Sequence, residues 1–546
     1  MMKIFKKGDA LFGFFQSRRN KNGEIVFRPV LGRLFVLFSS LAVVGWLSAA
    51  LAVSLFVKHG RGFEGGSYVD ILFYPWRKEA YQKAWGDEFI ERGLELLEEG
   101  EVLEGLQLVR IGHIKSPTNR EGRLAMADFH SARGRSDQAG QVLREGLQYI
   151  EEDDFDYLRT TLRVLLHNEE DQDVLSVASD LLGDEVVITP ANQIIALAAG
   201  NACFFRGNYD DAESFLVDYE LSNHPEGRIL LARIDWERGR QQAALDRLER
   251  LAESMTEQEE VYVYLSQYYR ELGQHNKAQG YAVMRQIMNP HTAAPRIALL
   301  YSFHANDEIE KAKSEARKVL NDFSHDEEAL LGLGEFAAQL GDVDLSLRTF
   351  QAADRNGFSL DLLAILLSEA HLKAGNYQEA IWFLESHSTQ NRTFAERYKA
   401  LLNGIYIVAY LGLGDDEWGE NYLKQLLAAT NLRAETFLIT SRRLLELGRN
   451  KVARQLVEHA HRVDPRNQAA LIELVQLDLE HGWTGNFARN MEKLLATRKP
   501  PRALLEQSIT RLGMDEFLFM PERRKLLEAI DEVIGKERDA TGLTHS

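Results

Sequence analysis

The sequence has very little of what catalytic and metal sites are usually built from. Among 546 residues there is one cysteine, Cys203, so neither a disulfide within the chain nor a cysteine-rich zinc site is possible. A P-loop, a GxGxxG turn after a strand, a GxSxG elbow and an HExxH helix are all missing. We therefore predict a protein that is not an enzyme, with no cofactor, no metal and no small-molecule substrate.

Proline is scarce as well, with 11 residues in the chain, and this scarcity favours helix. Hydrophobic residues make up 45% and charged residues 27%, a balance that is typical of folded proteins and argues against disorder throughout. The length exceeds what one hydrophobic core usually holds. The chain should therefore form several domains or one array of repeats.

Positive charge is confined mostly to the start of the chain. Residues 1–33 contain eight Lys or Arg against two Asp or Glu, whereas the whole chain has a net charge of −18. The remainder is strongly acidic and repels phosphate backbones, so nucleic acid is not expected as a partner. An acidic surface also serves solubility alone, and this is the simpler explanation of the charge.

A long uncharged stretch follows the basic segment. From Leu34 to Val57 there are 24 residues without charge, and as a helix they span about 36 Å, enough to cross a bilayer. Arg33 and Lys58 bracket the stretch. Because basic residues concentrate before it, the positive-inside rule places the N-terminus in the cytoplasm. Residues 58–546 would then lie outside the cytoplasm, held at the plasma (inner) membrane by a single span.

Two features near this stretch leave alternatives open. Ala50-Leu51-Ala52 fits a signal-peptidase site, so cleavage after Ala52 is the alternative to a retained anchor. The glycine-rich residues 58–78 read as a linker, and they contain the apolar segment Ile71–Trp76. That segment either touches the bilayer interface or covers the first helical unit.

One pattern recurs along most of the chain: a turn residue, usually glycine, with a small residue five positions later. Eight of the eleven intervals between successive turns are 34 residues, and two are 39. Alanine, glycine or serine stands five residues after ten of the twelve turns. The turn residues are Gly100, Gly134, Asn168, Gly207, Gly239, Gly273, Asp307, Gly341, Gly375, Gly414, Gly448 and Gly482.

The repeated unit is a pair of antiparallel helices. The first helix ends at the glycine, which adopts the left-handed conformation without a Cβ penalty. The second begins almost at once, and the small residues let the two backbones approach closely. The two intervals of 39 residues point to loop extensions near Gly183–Gln193 and Ser386–Phe394.

This unit resembles the tetratricopeptide repeat, over roughly residues 86–500. The best single match is "YVYLSQYYRELGQHNKAQGYAVMRQIMNP", and its matching residues are Tyr262, Leu265, Ser266, Tyr269, Gly273, Ala278 and Pro290. The resemblance implies an all-α fold, an α-solenoid of about twelve helix pairs over residues 79–501. Residues 502–539 read as closing helices with a polar outer face, and 540–546 as a disordered tail.

The resemblance also implies a groove for protein partners. In this family the first helix of each pair lines a concave face through its second, fifth, ninth and twelfth motif positions. Apolar members exposed on that face, Trp236, Ile365 and Leu372, are the stronger candidates. In the pairs that turn at Gly239, Gly273 and Gly375 the groove positions are Glu226, Ile229, Arg233, Trp236, Glu260, Val263, Gln267, Arg270, Leu362, Ile365, Glu369 and Leu372.

The sequence thus predicts a membrane-tethered, non-enzymatic scaffold whose solenoid binds proteins outside the cytoplasm. Such a protein would assist translocated clients or envelope assembly. One alternative is a structural subunit of a polysaccharide or protein export apparatus. Another is an adaptor that faces the cytoplasm. The partner itself cannot be read from these residues.

Overall fold

The computed structural model describes residues 9–10, 14–19, 25–60, 67–149, 153–254, 259–289, 291–430 and 432–539. Pro290, which belongs to the predicted repeat motif, and the predicted tail 540–546 lie outside these ranges. The chain divides into two units. One comprises Met1–Ala132 and Gln141–Ile150, and the other Arg133–Gly140 and Glu151–Ser546.

Twelve helix pairs follow one another along the described part of the chain, which confirms the predicted all-α repeat array. They are α3 (Tyr74–Glu98) with α4 (Val102–Lys115), α5 (Arg120–Ala132) with α6 (Ser136–Gly146), α7 (Phe155–His167) with α8 (Asp171–Leu182), α9 (Pro190–Phe205) with α10 (Tyr209–Asp218), α11 (Pro225–Glu237) with α12 (Gln241–Ser254), α13 (Glu259–Glu271) with α14 (His275–Met288), α15 (Ala293–Ala305) with α16 (Ile309–Asp322), α17 (Glu327–Leu340) with α18 (Val343–Arg355), α19 (Asp361–Lys373) with α20 (Tyr377–Gln390), α22 (Lys399–Leu413) with α23 (Asp416–Ala428), α24 (Ala434–Glu446) with α25 (Asn450–Val463), and α26 (Gln468–His481) with α27 (Phe487–Ala496).

The turn within each pair contains one residue with positive φ, as predicted for the glycines. Asp307 also adopts this conformation, with φ 59°. One predicted turn residue was wrong by one position: Asn168 has φ −80°, and Glu169 is left-handed with φ 60°. The backbone hydrogen bond that ends α7 explains the difference. Glu170 N–H donates to Leu165 O at 2.8 Å, and in a helix end closed by such a bond the left-handed residue is the one just before the donor, here Glu169.

Small residues allow a close helix approach in the smaller unit. Gly86 and Gly93 on α3 face Gly112 and Gly105 on α4. A Cβ on Gly93 would lie 2.8 Å from the carbonyl oxygen of Gly105, and one on Gly112 would lie 2.6 Å from that of Gly86. Both distances are shorter than van der Waals contact, so the pair can pack this tightly only with glycine at these positions.

The N-terminal region contains a small sheet that the sequence analysis did not predict. Strands β1 (Asp9–Ala10), β2 (Phe15–Arg19) and β3 (Ile25–Pro29) are antiparallel and ordered β1-β2-β3. The register of β2 and β3 pairs Phe15 with Pro29 and Arg19 with Ile25.

Helix α1 (Leu31–Leu55) continues as a π-helical turn to Gly60, and the whole is apolar and long enough to cross a membrane. Ala50 is its one buried residue. The predicted linker contains a short helix, α2 (Tyr68–Leu72), that packs beside the middle of α1. The indole of Trp46 donates to the carbonyl oxygen of Leu72 at 2.9 Å.

The two longer intervals differ in structure. The first is a loop between α8 and α9. The second contains an extra short helix, α21 (Arg392–Arg397), whose Phe394 is fully buried. Helices α28 (Arg502–Leu512) and α29 (Arg523–Asp539) follow the last pair and share a core with α26 and α27 through Leu512 and Ile530.

Candidate functional site

An open concavity of the larger unit lies on α7, α9 and the start of α11. We call it the α7–α9 groove; its volume is about 1220 Å³. Its walls come from the first helices of three successive pairs, which is the side on which the sequence analysis placed a groove.

One wall of the groove is cationic. Arg159, Arg163 and His167 are exposed and lie four residues apart on α7, which places them on one face. Among the described residues neither arginine has a hydrogen-bond or ion-pair partner. Because guanidinium groups are always charged and carry five donors, two unpaired ones in a concave site are suited to carboxylates.

The base of the groove is mixed. Ile194, Leu197 and Phe205 on α9 present partly exposed apolar surface, and Asn201 stands among them. The local sequence fixes where α9 begins, because Pro190 occupies its first turn and the hydroxyl of Thr189 accepts from Asn192 N–H at 3.1 Å. An apolar base beside cationic and amide groups can bind an acidic peptide that also carries apolar side chains.

Two exposed carboxylates, Asp156 and Glu226, lie among the lining residues, so the groove is not uniformly positive. Arg498 also lines the groove, but Asp171 pairs with it, so the two unpaired arginines and these two carboxylates are equal in number. The part of the groove that suits an anionic ligand is therefore the α7 wall of Arg159 and Arg163, in a chain whose net charge is −18.

Arg498 reaches the groove from the segment after α27, more than 300 residues along the chain. Its guanidinium binds Asp171 in bidentate fashion, with Nε to Oδ2 at 2.7 Å and Nη2 to Oδ1 at 2.6 Å. It also donates to the carbonyl oxygen of Leu166 at 2.6 Å and lies over the ring of Phe205 at 4.2 Å. Both charged side chains are nearly buried, 13% and 2% exposed.

Further contacts join the same two ends of the larger unit. Lys499 N–H donates to the carbonyl oxygen of Phe205 at 2.8 Å, and its ammonium group contacts Glu237 at 3.1 Å. Gln468 N–H donates to the carboxylate of Glu169 at 2.8 Å. We call this set, together with the Arg498–Asp171 pair, the closing contact. It brings α26 and the segment after α27 against α7 to α11.

The predicted groove residues fall into four groups, of which the last is buried. Glu226 lines the α7–α9 groove. Arg233 and Trp236 are engaged within the protein: Arg233 lies over Phe204 at 4.3 Å, and Trp236 stacks on Tyr268 with ring centroids 3.9 Å apart. The remaining exposed or half-buried predicted residues, for which contact with a partner stays a prediction, are Glu260, Val263, Gln267, Arg270, Leu362 and Glu369.

The expected exposure of three apolar candidates was wrong. Ile229 is 3% exposed, and Ile365 and Leu372 are each 6% exposed because they pack into the cores of their pairs. The face that Ile365 and Leu372 line, on α19, α22 and α24, has only about 20 Å³ of free volume.

Ion pairs between α19 and α24 account for that narrow space. Arg443 lies 3.8 Å from Glu369, and Lys373 lies 2.7 Å from Glu446. Each pair joins the first helices of repeats that are two apart, across α22. The face that the sequence analysis favoured is therefore nearly filled by the side chains of the protein itself.

The sequence analysis missed Arg159 and Arg163 because it gave groove positions only for the pairs that turn at Gly239, Gly273 and Gly375. The one-residue error at Asn168 would also have misplaced the groove positions of α7. Counted from Glu169, the second, fifth, ninth and twelfth positions are Asp156, Arg159, Arg163 and Leu166, and all four line the α7–α9 groove. Counted from Asn168, they are Phe155, Leu158, Leu162 and Leu165, and the last three of these are buried. The burial pattern of α7 was the signal that could have corrected the register.

The two features considered next are the single thiol and possible clusters of metal-binding side chains. Burial raises the pKa of the Cys203 thiol to about 11, and the negative charge of Asp211 adds to the effect. This thiol is therefore protonated and unreactive near neutral pH. Within the described ranges no group of three or more His, Cys, Asp or Glu side chains could hold a metal ion.

Comparison with known proteins agrees with the repeat architecture. The family model described as tetratricopeptide repeat matches residues 121–145 and 225–250, which correspond to α5 with most of α6 and to α11 with most of α12. No curated protein matches the sequence. The two matches fall on two of the twelve helix pairs, and the repeat architecture of the other described pairs agrees with them.

Several solved structures are similar to this chain at low identity. A tetratricopeptide repeat protein from Parabacteroides merdae is 12% identical, covers 57% of this chain and 98% of its own, and has a TM-score of 0.29. The APC/C hetero-tetramer Cut9–Hcn1 is 13% identical, covers 86% of this chain and 94% of its own, and has a TM-score of 0.31. Yeast Tom70 is 12% identical, covers 91% of this chain and 96% of its own, and has a TM-score of 0.29. With TM-scores below 0.5, these likenesses indicate nothing about function.

Proposed function

We propose that the protein is a membrane-anchored scaffold that holds an acidic segment of a partner protein in the α7–α9 groove. The observation that carries this proposal is the pair Arg159 and Arg163, two exposed guanidinium groups without a partner among the described residues, beside the apolar surface of Ile194 and Leu197. A segment with carboxylates on one side and apolar residues on the other matches both features.

The membrane part of the proposal rests on α1. A helix of 30 residues from Leu31 to Gly60, almost wholly exposed within the protein, needs an apolar surrounding. The basic residues before α1 favour a cytoplasmic N-terminus, with the repeat array on the other side.

Tethering explains how a shallow groove could be useful. A flexible acidic segment in an open groove pays an ordering cost and binds weakly on its own. Confinement of the array to the membrane raises the local concentration of partners that are also at the membrane, without any new contact. Assistance to translocated clients, or assembly of an export apparatus, would both use such a device.

A binding measurement tests the groove. Fluorescence anisotropy of a labelled peptide that alternates Glu with Leu is followed on full-length protein in detergent. The double variant Arg159→Glu/Arg163→Glu should weaken binding by tenfold or more, since each charge-assisted hydrogen bond contributes about 1.5–3 kcal/mol.

The matched control is Arg317→Glu/Lys424→Glu, which changes the net charge equally at two exposed positions on α16 and α23. If the two double variants lose the same affinity, binding reflects total charge and the groove proposal is wrong. Topology is tested separately by a reporter fused after Ser546, which should be active only outside the cytoplasm.

A further inference from the structure

A second surface of the larger unit is built from aromatic rings. Tyr406 and Tyr410 lie one turn apart on α22, and Trp418 and Tyr422 lie one turn apart on α23. We call these four residues the aromatic tile. Tyr410 stacks on Trp418 with ring centroids 5.9 Å apart and on Tyr422 at 5.7 Å, and Tyr406 lies 4.8 Å from Tyr422.

The tile reaches the surface through Trp418. Its side chain is 50% exposed, whereas the three tyrosines are partly buried and pack against the core of this part of the unit. The indole packs against the ring of Tyr410 in an offset arrangement, and half of its surface stays accessible to solvent. Because the rings behind it are already packed, a ligand at this face would meet a surface that costs little to organise.

Other repeats of the same chain indicate what such a ring accepts. The residue four before the turn is aromatic in three pairs: Tyr269, Phe303 and Tyr410. In two of these pairs the residue four after the turn is a lysine whose ammonium lies over that ring: Lys277 over Tyr269 at 4.6 Å, and Lys311 over Phe303 at 6.0 Å.

In the third pair Trp418 occupies the position of those lysines. This repeat thus has a second aromatic ring, half exposed, where the other two have a cation from the chain itself. Among the described residues no Lys or Arg lies over the ring of Trp418, Tyr406, Tyr410 or Tyr422. The place of the cation is therefore open to a group from outside the chain.

The charge near the tile is negative, which favours a cationic ligand. Glu385 on α20 is exposed, and its carboxylate pairs with no cation among the described residues. Helix α20 packs against α22, which carries Tyr406 and Tyr410. Burial raises the pKa of Tyr422, and the negative charge of Glu385 raises it further, in agreement with this packing. Asp415, which caps the first turn of α23 by accepting from Trp418 N–H at 3.2 Å, adds negative charge at the other edge.

We propose that the aromatic tile is a second protein-binding site, which takes an arginine of a partner segment. The guanidinium group stacks on the outer face of Trp418 and pairs with Glu385. Arginine fits better than lysine because its planar, weakly hydrated group stacks on aromatic faces while its N–H groups bind a carboxylate. This site is independent of the α7–α9 groove, since α22 and α23 contribute no residue to that groove.

The test uses full-length protein in detergent and a fluorescently labelled peptide of four arginines. Trp418→Ala should weaken binding by about threefold to thirtyfold, the range that one cation–π contact provides. Trp418→Phe keeps an aromatic face and should stay within about threefold of the unchanged protein. Glu385→Gln should weaken binding, and a peptide of four lysines should bind less tightly than tetra-arginine.

The control is Phe519→Ala, which removes the most exposed large apolar side chain of the described residues, 90% exposed, at the distant segment between α28 and α29. It should leave the affinity unchanged. Equal affinities of the unchanged protein and Trp418→Ala would overturn the proposal. So would a loss that follows Glu385→Gln alone, because binding would then depend on charge and not on the aromatic face.

Discussion

The closing contact makes the most specific prediction about the larger unit. Arg498→Ala removes the guanidinium that binds Asp171, whose side chain is only 2% exposed. If the two ends stayed together, an uncompensated buried carboxylate would cost about 3–5 kcal/mol. The ends can separate instead and let water reach Asp171. The free energy lost in Arg498→Ala is then limited to the free energy of the closing contact itself, and the two ends of the larger unit move apart.

The size of the effect follows from that limit. A loss of about 3 kcal/mol changes the ratio of closed to open forms by more than a hundredfold, since 1.4 kcal/mol corresponds to tenfold. Gln172 on α8 and Glu506 on α28 are exposed and lie on the two sides of the contact. Spin labels on Gln172→Cys and Glu506→Cys report the distance by electron–electron dipolar spectroscopy. The natural Cys203 should not react, because it is buried and its pKa is about 11.

We expect one narrow distance distribution in the otherwise unchanged protein and a broader, longer one with Arg498→Ala. Arg524→Ala is the control, because its ion pair with Glu528 is at the surface, with the two side chains 92% and 65% exposed. It should leave the distribution as it was. A narrow, unchanged distribution in Arg498→Ala would refute the reasoning that this buried pair holds the ends together.

Two further predictions concern single positions. Gly93→Ala and Gly200→Ala change the same position of their repeats, yet the first should lower the melting temperature followed by circular dichroism and the second should not. A Cβ on Gly93 would lie 2.8 Å from Gly105 O, and this clash costs about 1–3 kcal/mol of stability. A Cβ on Gly200 would have its nearest neighbour at 3.4 Å, so the alanine fits and gains helix propensity. Similar shifts of the melting temperature for both variants would contradict the close approach of α3 and α4. Maleimide labelling of Cys203 at pH 7.5 should be slow in the folded protein and fast in urea, because folding buries the thiol and raises its pKa to about 11; fast labelling of the folded protein would contradict this burial.

Much of the fold could be predicted from the sequence because the repeat signal has a direct physical cause. A glycine such as Gly375 is needed where φ is 77°, and a small residue such as Ala380, fully buried, is needed where two helices meet. The same reasoning failed at Asn168, where no glycine marked the turn and Glu169 took the strained conformation. The strands β2 and β3 were also missed, although Asn22-Gly23 between them is a hairpin signal.

The candidate site was less predictable, because it depends on contacts that repeats alone do not encode. The family pattern predicts that the first helices of the pairs form the groove walls. It cannot distinguish a face that is open to a partner from one that the protein's own side chains occupy. Lys373 and Glu446, 73 residues apart, help to fill the face on α19 to α24. Arg498 reaches the α7–α9 groove from the far end of the unit. Pairings at such sequence separation cannot be read from one sequence.

The central claim, that the α7–α9 groove holds an acidic partner segment, is tested most directly by crosslinking in cells. A photoreactive amino acid replaces Leu197 in the groove or Ser314 on the outer face of α16, and mass spectrometry identifies the joined peptides. We predict adducts from position 197 whose partner peptides are rich in Asp and Glu, and their loss when Arg159 and Arg163 are changed to glutamate. Adducts that are equal from both positions, or that persist in the charge-reversed variant, would contradict the account.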